Sequence, residues 1–159
     1  MMTTYLLPHR FKSPSRIVFL LMTVLFILEL IFSLNINLPF LDVNMPVLTD
    51  APLFSEREWF VMRRSNLSLP LLILMMTLSG LGYGFSREKD EDELIAQLRS
   101  ESLVWAVYLN YLLLALLIFV VVGFDILGVM IVNIFTLLVF FNLRFEWKKY
   151  QLKKSSHEE

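Results

Sequence analysis

Four runs of apolar residues, separated by charged or proline-containing stretches, organise the chain. Ile17 to Leu41 carries a single charge, Glu29, and the runs Ser65 to Ser86, Ser102 to Phe124 and Ile126 to Leu143 carry none. A helix rises about 1.5 Å per residue, so about 20 residues cross a hydrocarbon layer about 30 Å thick. The pattern therefore predicts an all-α membrane protein with four transmembrane helices, at about 17–38, 66–86, 102–123 and 126–144. The last two runs meet at Gly123-Phe124-Asp125. Asp125 is too costly to leave in lipid and glycine can open a turn, so these two helices are expected to form a tight hairpin.

The segments between the runs differ in character. The loop at 39–65 contains Pro39, Pro46 and Pro52, which suits an extended path along a membrane surface. Its second half carries Ser55-Glu56-Arg57-Glu58, a Ser-x-x-Glu capping pattern, ahead of Trp59-Phe60-Val61-Met62. That order predicts a short interfacial helix leading into the second span. The loop at 87–101 opens with Arg87-Glu88-Lys89-Asp90-Glu91-Asp92-Glu93, and Leu94, Ile95 and Leu98 then recur at helical spacing. Acidic residues favour the positive end of a helix dipole, so the third helix is expected to begin near Asp90 and to extend out of the membrane before entering it after Glu101. Residues 145–159 read as a tail.

Composition bears out the class. Hydrophobic residues make up 57% of the 159, and mean hydropathy is +0.64, more apolar than a soluble domain of this size. There is no cysteine, which removes disulfides, thiolate metal sites and a cysteine nucleophile. The net charge of -1 gives no electrostatic case for nucleic acid.

The placement of Lys and Arg gives the orientation. On the four-span reading, 11 of the 14 fall on the side of the two termini and of the loop at 87–101, and Arg57, Arg63 and Arg64 fall on the other. The positive-inside bias then puts both termini in the cytoplasm. Trp105 and Trp147 lie at the inner ends of the third and fourth spans and Trp59 near the outer end of the second, as an aromatic belt requires. Ser33-Leu34-Asn35-Ile36-Asn37 offers no small-x-small cleavage site, so the first run is expected to remain as a span.

Polar residues inside the runs are the candidates for chemistry. Glu29 lies 13 residues beyond Arg16, roughly 20 Å in from the inner surface. A carboxyl there should face other helices and should be easily protonated. Asn133, 11 residues before Arg144, lies roughly 16 Å from the same surface and is the expected partner of Glu29. Asn110 is shallower and is assigned to the inner half of the bundle. The functional reading makes Glu29 a proton or cation relay; the plainer one, favoured here, makes Glu29 and Asn133 an interhelical contact that fixes packing. Gly80 and Gly84, four apart, mark a face where another helix can approach closely, within the chain or across a homo-oligomer. Asp90, Glu91, Asp92 and Glu93 form a candidate partner-docking loop, against the plainer reading of a solvated helix start. No calcium-loop spacing is present among them, and no metal or other cofactor is expected.

Glu91-Asp92-Glu93, Leu98-Arg99-Ser100-Glu101-Ser102-Leu103, Trp105-Ala106-Val107-Tyr108, Asn110-Tyr111 and Val129-Met130-Ile131-Val132-Asn133 resemble an uncharacterised family of small bacterial four-span inner-membrane proteins. Leu38-Pro39-Phe40-Leu41-Asp42-Val43 extends the likeness to the first long loop. The resemblance implies the topology and a bacterial inner membrane. It implies no activity and no catalytic residue.

Enzymatic chemistry finds little purchase. The two histidines, His9 and His157, lie in terminal tails, and there is no His-Glu-x-x-His helix, no Gly-x-Ser-x-Gly elbow and no phosphate-binding glycine loop. Lys148, Lys149, Lys153 and Lys154, interleaved with Trp147 and Tyr150, read as a basic segment meeting anionic membrane lipid. The expected function is a non-enzymatic accessory or regulatory subunit that engages other proteins. The alternative is a small oligomeric transporter or channel using Glu29.

Overall fold

The computed structural model describes residues 6–32, 38–50, 58–123 and 125–155, the side chains of Thr49, Asp50, Glu58 and Ser155 excepted. The chain is mostly helical. Among the described residues four α-helices run in the order α1 (Lys12–Phe32), α2 (Ser68–Gly84), α3 (Glu93–Val120) and α4 (Asp125–Ser155). Between α1 and α2 lie two strands, β1 (Asp42–Asp50) and β2 (Glu58–Asn66). Three helices are long and apolar enough to cross a membrane, at His9–Phe32, Glu93–Val120 and Asp125–Lys154, and the fourth, Ser68–Gly84, is apolar but shorter.

Local chemistry sets the helix boundaries. Pro14 and Pro70 each fall in a first turn, where a missing N–H costs nothing because the helix has no acceptor for it. Asp92 caps α3, its carboxylate accepting from the Ile95 N–H at 2.7 Å. The helix thus starts at Glu93, three residues later than Asp90. Gly123, at φ +85°, makes the turn before α4 in a backbone conformation that side-chain-bearing residues disfavour. Asp125 is the first residue of α4, where its charge meets the positive helix end. The helix then continues unbroken through the stretch read as a tail, as far as Ser155.

The strands correct the all-α expectation. β1 and β2 form an antiparallel ribbon with Asp42 opposite Asn66, Met45 opposite Arg63 and Val47 opposite Val61. The capping residues Ser55 to Arg57 lie outside the described residues, but Trp59 to Met62, expected to be helical, belong to β2. Aromatic and β-branched residues favour a pleated ribbon once a partner strand is available. Pro46 does not prevent this, because both strands of a two-stranded ribbon are edges and a missing N–H can point outward.

The chain divides into two compact units, and α1 and α2 contribute to both. One comprises residues 22–74. Its ribbon is closed at the base by Asn66, whose side-chain NH2 donates to the Leu38 carbonyl at 3.1 Å and to the Asp42 carboxylate at 2.6 Å. The Asn66 side-chain oxygen accepts from the Ser68 N–H at 2.9 Å, which starts α2. The other unit comprises residues 1–21 and 75–159. Its core is Ile95, Ala106, Phe141 and Phe145, with Phe85, Leu98, Leu103, Phe140 and Leu152 packed around it.

Within this second unit the glycine spacing has a direct use. A Cβ on Gly80 would stand 2.7 Å from the Phe19 ring and 3.2 Å from Leu138, and one on Gly84 would run into the Phe141 ring and stand 2.9 Å from the Asn142 side-chain oxygen. Both glycines therefore let α2 approach α1 and α4 of the same chain. Asn142 exploits the approach, donating to the Gly80 carbonyl at 3.2 Å as well as to Leu138 of its own helix. Gly84→Ala should cost about 1–3 kcal/mol of stability through overpacking, measured as a lowered unfolding temperature of the detergent-solubilised protein. An unchanged melting curve would show that α2 can back away from Phe141 at no cost.

Candidate functional site

The densest polar chemistry gathers at one end of the unit formed by residues 1–21 and 75–159. The N-terminal segment is tied there by backbone: the Leu7 N–H donates to Phe85 and the Arg87 N–H donates to Leu7, both at 2.9 Å. This pairing brings Lys12, at the start of α1, against Glu88, in the loop after α2. Lys149 of α4 reaches the same Glu88 oxygen at 2.9 Å, and Glu146, one turn before it, pairs with Lys149 at 2.7 Å and with Lys12 at 3.2 Å. Arg99 of α3 forms a two-pronged pair with Glu91, at 2.6 and 3.0 Å, and donates to the Ser86 carbonyl. Phe145, almost fully buried, is the floor of the cluster: Lys12, Lys149 and Arg99 lie 5.2, 5.7 and 5.1 Å from its ring centre, within the range of cation–π attraction.

Three cations and three carboxylates thus balance one another. Burial by itself would raise the carboxyl pKa values, but it is outweighed. Hydrogen bonds from Lys12 and Lys149 hold Glu88 below its ordinary value, Arg99 does the same for Glu91, and Lys149 with Lys12 does so for Glu146. Burial lowers Lys12, its carboxylates offsetting this only in part, whereas at Lys149 the two glutamates win and raise it. The carboxylates are the secure members of the network, since each is met by a cation in fixed geometry.

This arrangement changes the reading of the acidic loop. Glu91 is committed to Arg99 and to the Glu88 N–H, and Asp92 is spent as the α3 cap. Only Asp90 and Glu93 of the four are left on the surface without a bond of this kind. Asp90, Asp92 and Glu93 are exposed, as at a solvated helix start, while Glu91 is half-buried in its ion pair. The loop's cationic partners come from α1, α3 and α4 and lie between 8 and 76 residues away along the chain. Among the described residues no three carboxylate or imidazole groups converge on a metal position.

The polar candidates within the apolar runs have different surroundings. Depth along the helices pairs Asn133 with Glu29, but the structure gives Asn133 a different partner. Asn110 and Asn133 form a reciprocal amide pair between α3 and α4: the Asn110 NH2 donates to the Asn133 side-chain oxygen at 3.1 Å, and the Asn133 NH2 donates back at 3.2 Å. Two amides complete one another's donor and acceptor needs. Glu29 lies in the other unit, and its Oε2 is buried with no hydrogen-bond partner.

Sequence reasoning passed over Lys12, Arg99, Asn142 and Phe145. Only Arg99 left a trace, as a cation eight residues after Glu91 on a predicted helix. The others acquire their roles from chain segments far away in sequence.

The pH dependence follows from the three carboxylates. Their folded pKa values lie below the ordinary 4.5, so their contribution is complete above that value and is lost as pH falls through the folded pKa values. Thermal melts in detergent should therefore show stability dropping as pH falls below about 4.5. Glu88→Gln should cost roughly 3 kcal/mol at neutral pH, by leaving two buried ammonium groups underpaired, and should flatten the acid limb. A variant as stable as the parent would mean that the network is too wet to matter. The chain matches no protein-family model, and no match is found among curated proteins or solved structures.

Proposed function

We propose that this chain is a multi-pass protein of a bacterial inner membrane, with cytoplasmic termini and with α3 and α4 as a tight hairpin, serving as a non-enzymatic accessory or regulatory subunit. The docking element is the β-ribbon on the outer side. One observation carries the reading: Pro46 and Met62 stand opposite one another, Leu48 follows Pro46 on the same face by strand alternation, and Leu48 and Met62 are 62% and 66% exposed, with Phe60 of the same strand 77% exposed. Contiguous apolar surface of this kind marks an interaction site.

Two further features support it. Phe60 has φ +57°, a conformation costing on the order of 1–3 kcal/mol in a residue other than glycine, and the strain is held where the ring is most exposed. A two-stranded ribbon is at best marginal in water without further cover. A partner protein supplying an extended segment would add a third strand and bury the apolar face. The ion-paired cytoplasmic loop, by contrast, has little free charge to offer.

A photo-crosslinking residue placed at Leu48 or Met62 in living cells should give one discrete protein adduct, which mass spectrometry then identifies. Leu48→Ser with Met62→Ser should abolish copurification of that partner. Adducts to lipid alone would show the face resting on the membrane and would end the docking reading.

A second reading rests on the unpartnered, buried Oε2 of Glu29. A carboxyl in that state among apolar residues is a proton-site candidate, and it points to a small oligomeric transporter or channel. In sealed vesicles the protein would then carry a pH-driven proton flux that Glu29→Gln reduces at least tenfold. Equal flux in both, or none in either, removes it.

A further inference from the structure

We propose that the groove between α3 and α4 at Trp105 and Arg144 binds one anionic phospholipid of the inner leaflet. The groove is about 390 Å³ and is lined by Trp105 and Leu109 of α3 and by Phe140, Leu143, Arg144 and Trp147 of α4. Its residues are graded along the helix axes. Leu109 lies one turn deeper than Trp105, and Phe140 and Leu143 lie deeper than Trp147, so the apolar part faces the hydrocarbon and the two indoles mark the interface. Trp105, Leu109, Leu143 and Trp147 are all exposed, so the groove opens sideways to whatever surrounds the helices.

Arg144 is the single charge in this lining. Its guanidinium lies 4.3 Å from the Trp105 ring centre, and its Nε is buried with no hydrogen-bond partner among the described residues. Arg99 of α3, Lys149 of α4 and Lys12 of α1 are each paired with a carboxylate, whereas Arg144, among the described residues, is not. The indole holds the guanidinium beside the groove, where its N–H groups suit two oxygens of one phosphate. A cation held beside an indole, above an apolar slot, matches an anionic headgroup followed by an acyl chain. A free phosphate would use the cation and leave the slot empty. A zwitterionic lipid would fill the slot but carry an ammonium toward Arg144.

The inference rests on the helices lying in a bilayer, and the test separates the two. Full-length protein carrying Trp59→Phe, so that emission comes from Trp105 and Trp147, is reconstituted in phosphatidylcholine vesicles. Brominated phosphatidylglycerol or brominated phosphatidylcholine is then added in steps. Brominated phosphatidylglycerol should quench at about fivefold lower mole fraction, the size expected for one basic side chain meeting an anionic lipid. Arg144→Gln should bring the two curves together, whereas Arg16→Gln, an exposed cation on α1, should leave the gap in place. Coincident curves in the parent overturn the site, whether or not Arg144→Gln folds. So does a gap that survives Arg144→Gln, or one that millimolar inorganic phosphate closes. Absence of quenching by either lipid overturns the bilayer placement itself.

Discussion

Glu88 accepts from two ammonium groups at one carboxylate, Lys12 from the start of α1 and Lys149 from the far end of α4. Three separate stretches of chain meet through that group. A charge at the edge of an apolar bundle has lost much of its water and must find compensation in the protein. Glu146, Glu91 and Arg99 complete the compensation, and the Phe145 ring fills the space beneath, where water would otherwise screen the pairs. The positions of the α1 start, the loop before α3 and the α4 end are then mutually fixed. None can move without exposing a cation to an apolar neighbour or stranding a carboxylate.

Further along the helices the polar groups follow the same demand with neutral partners. Where hydrocarbon surrounds helices, apolar burial alone gives little reason for them to associate, and close packing with a few hydrogen bonds supplies it. Gly80 and Gly84 let α2 come near enough for Asn142 to donate to a carbonyl of the neighbouring helix. Asn110 and Asn133 satisfy each other. Glu29 has no such arrangement at its Oε2.

The β-ribbon obeys different rules. Asn66 closes its base with hydrogen bonds in three directions, so register is set at the strand-to-helix junction. Away from that base, apolar side chains lie exposed beside a strained Phe60. Rigid at the base and open along one face, it is built as a fixed presentation of apolar surface, which fits the proposed docking role better than a solvated linker would.

Much of the helical part was legible because its signals are local. Runs of apolar residues with at most one charge mark the four helices, Gly123 punctuates the last two, and the glycine pair announces a close approach; each depends on a few neighbouring residues and on the solvent preference of apolar surface. The ribbon was not legible, since Trp59 to Met62 take strand form only when Pro46 to Thr49 lie beside them, and the prolines of the loop and its capping pattern argued locally for something else. Pairing of charges and amides was decided in the same non-local way. Glu88 with Lys12 is a choice among chemically equivalent cations, and only the distance between segments in three dimensions selects it. Asn133 takes Asn110, a partner that depth along the helices does not single out.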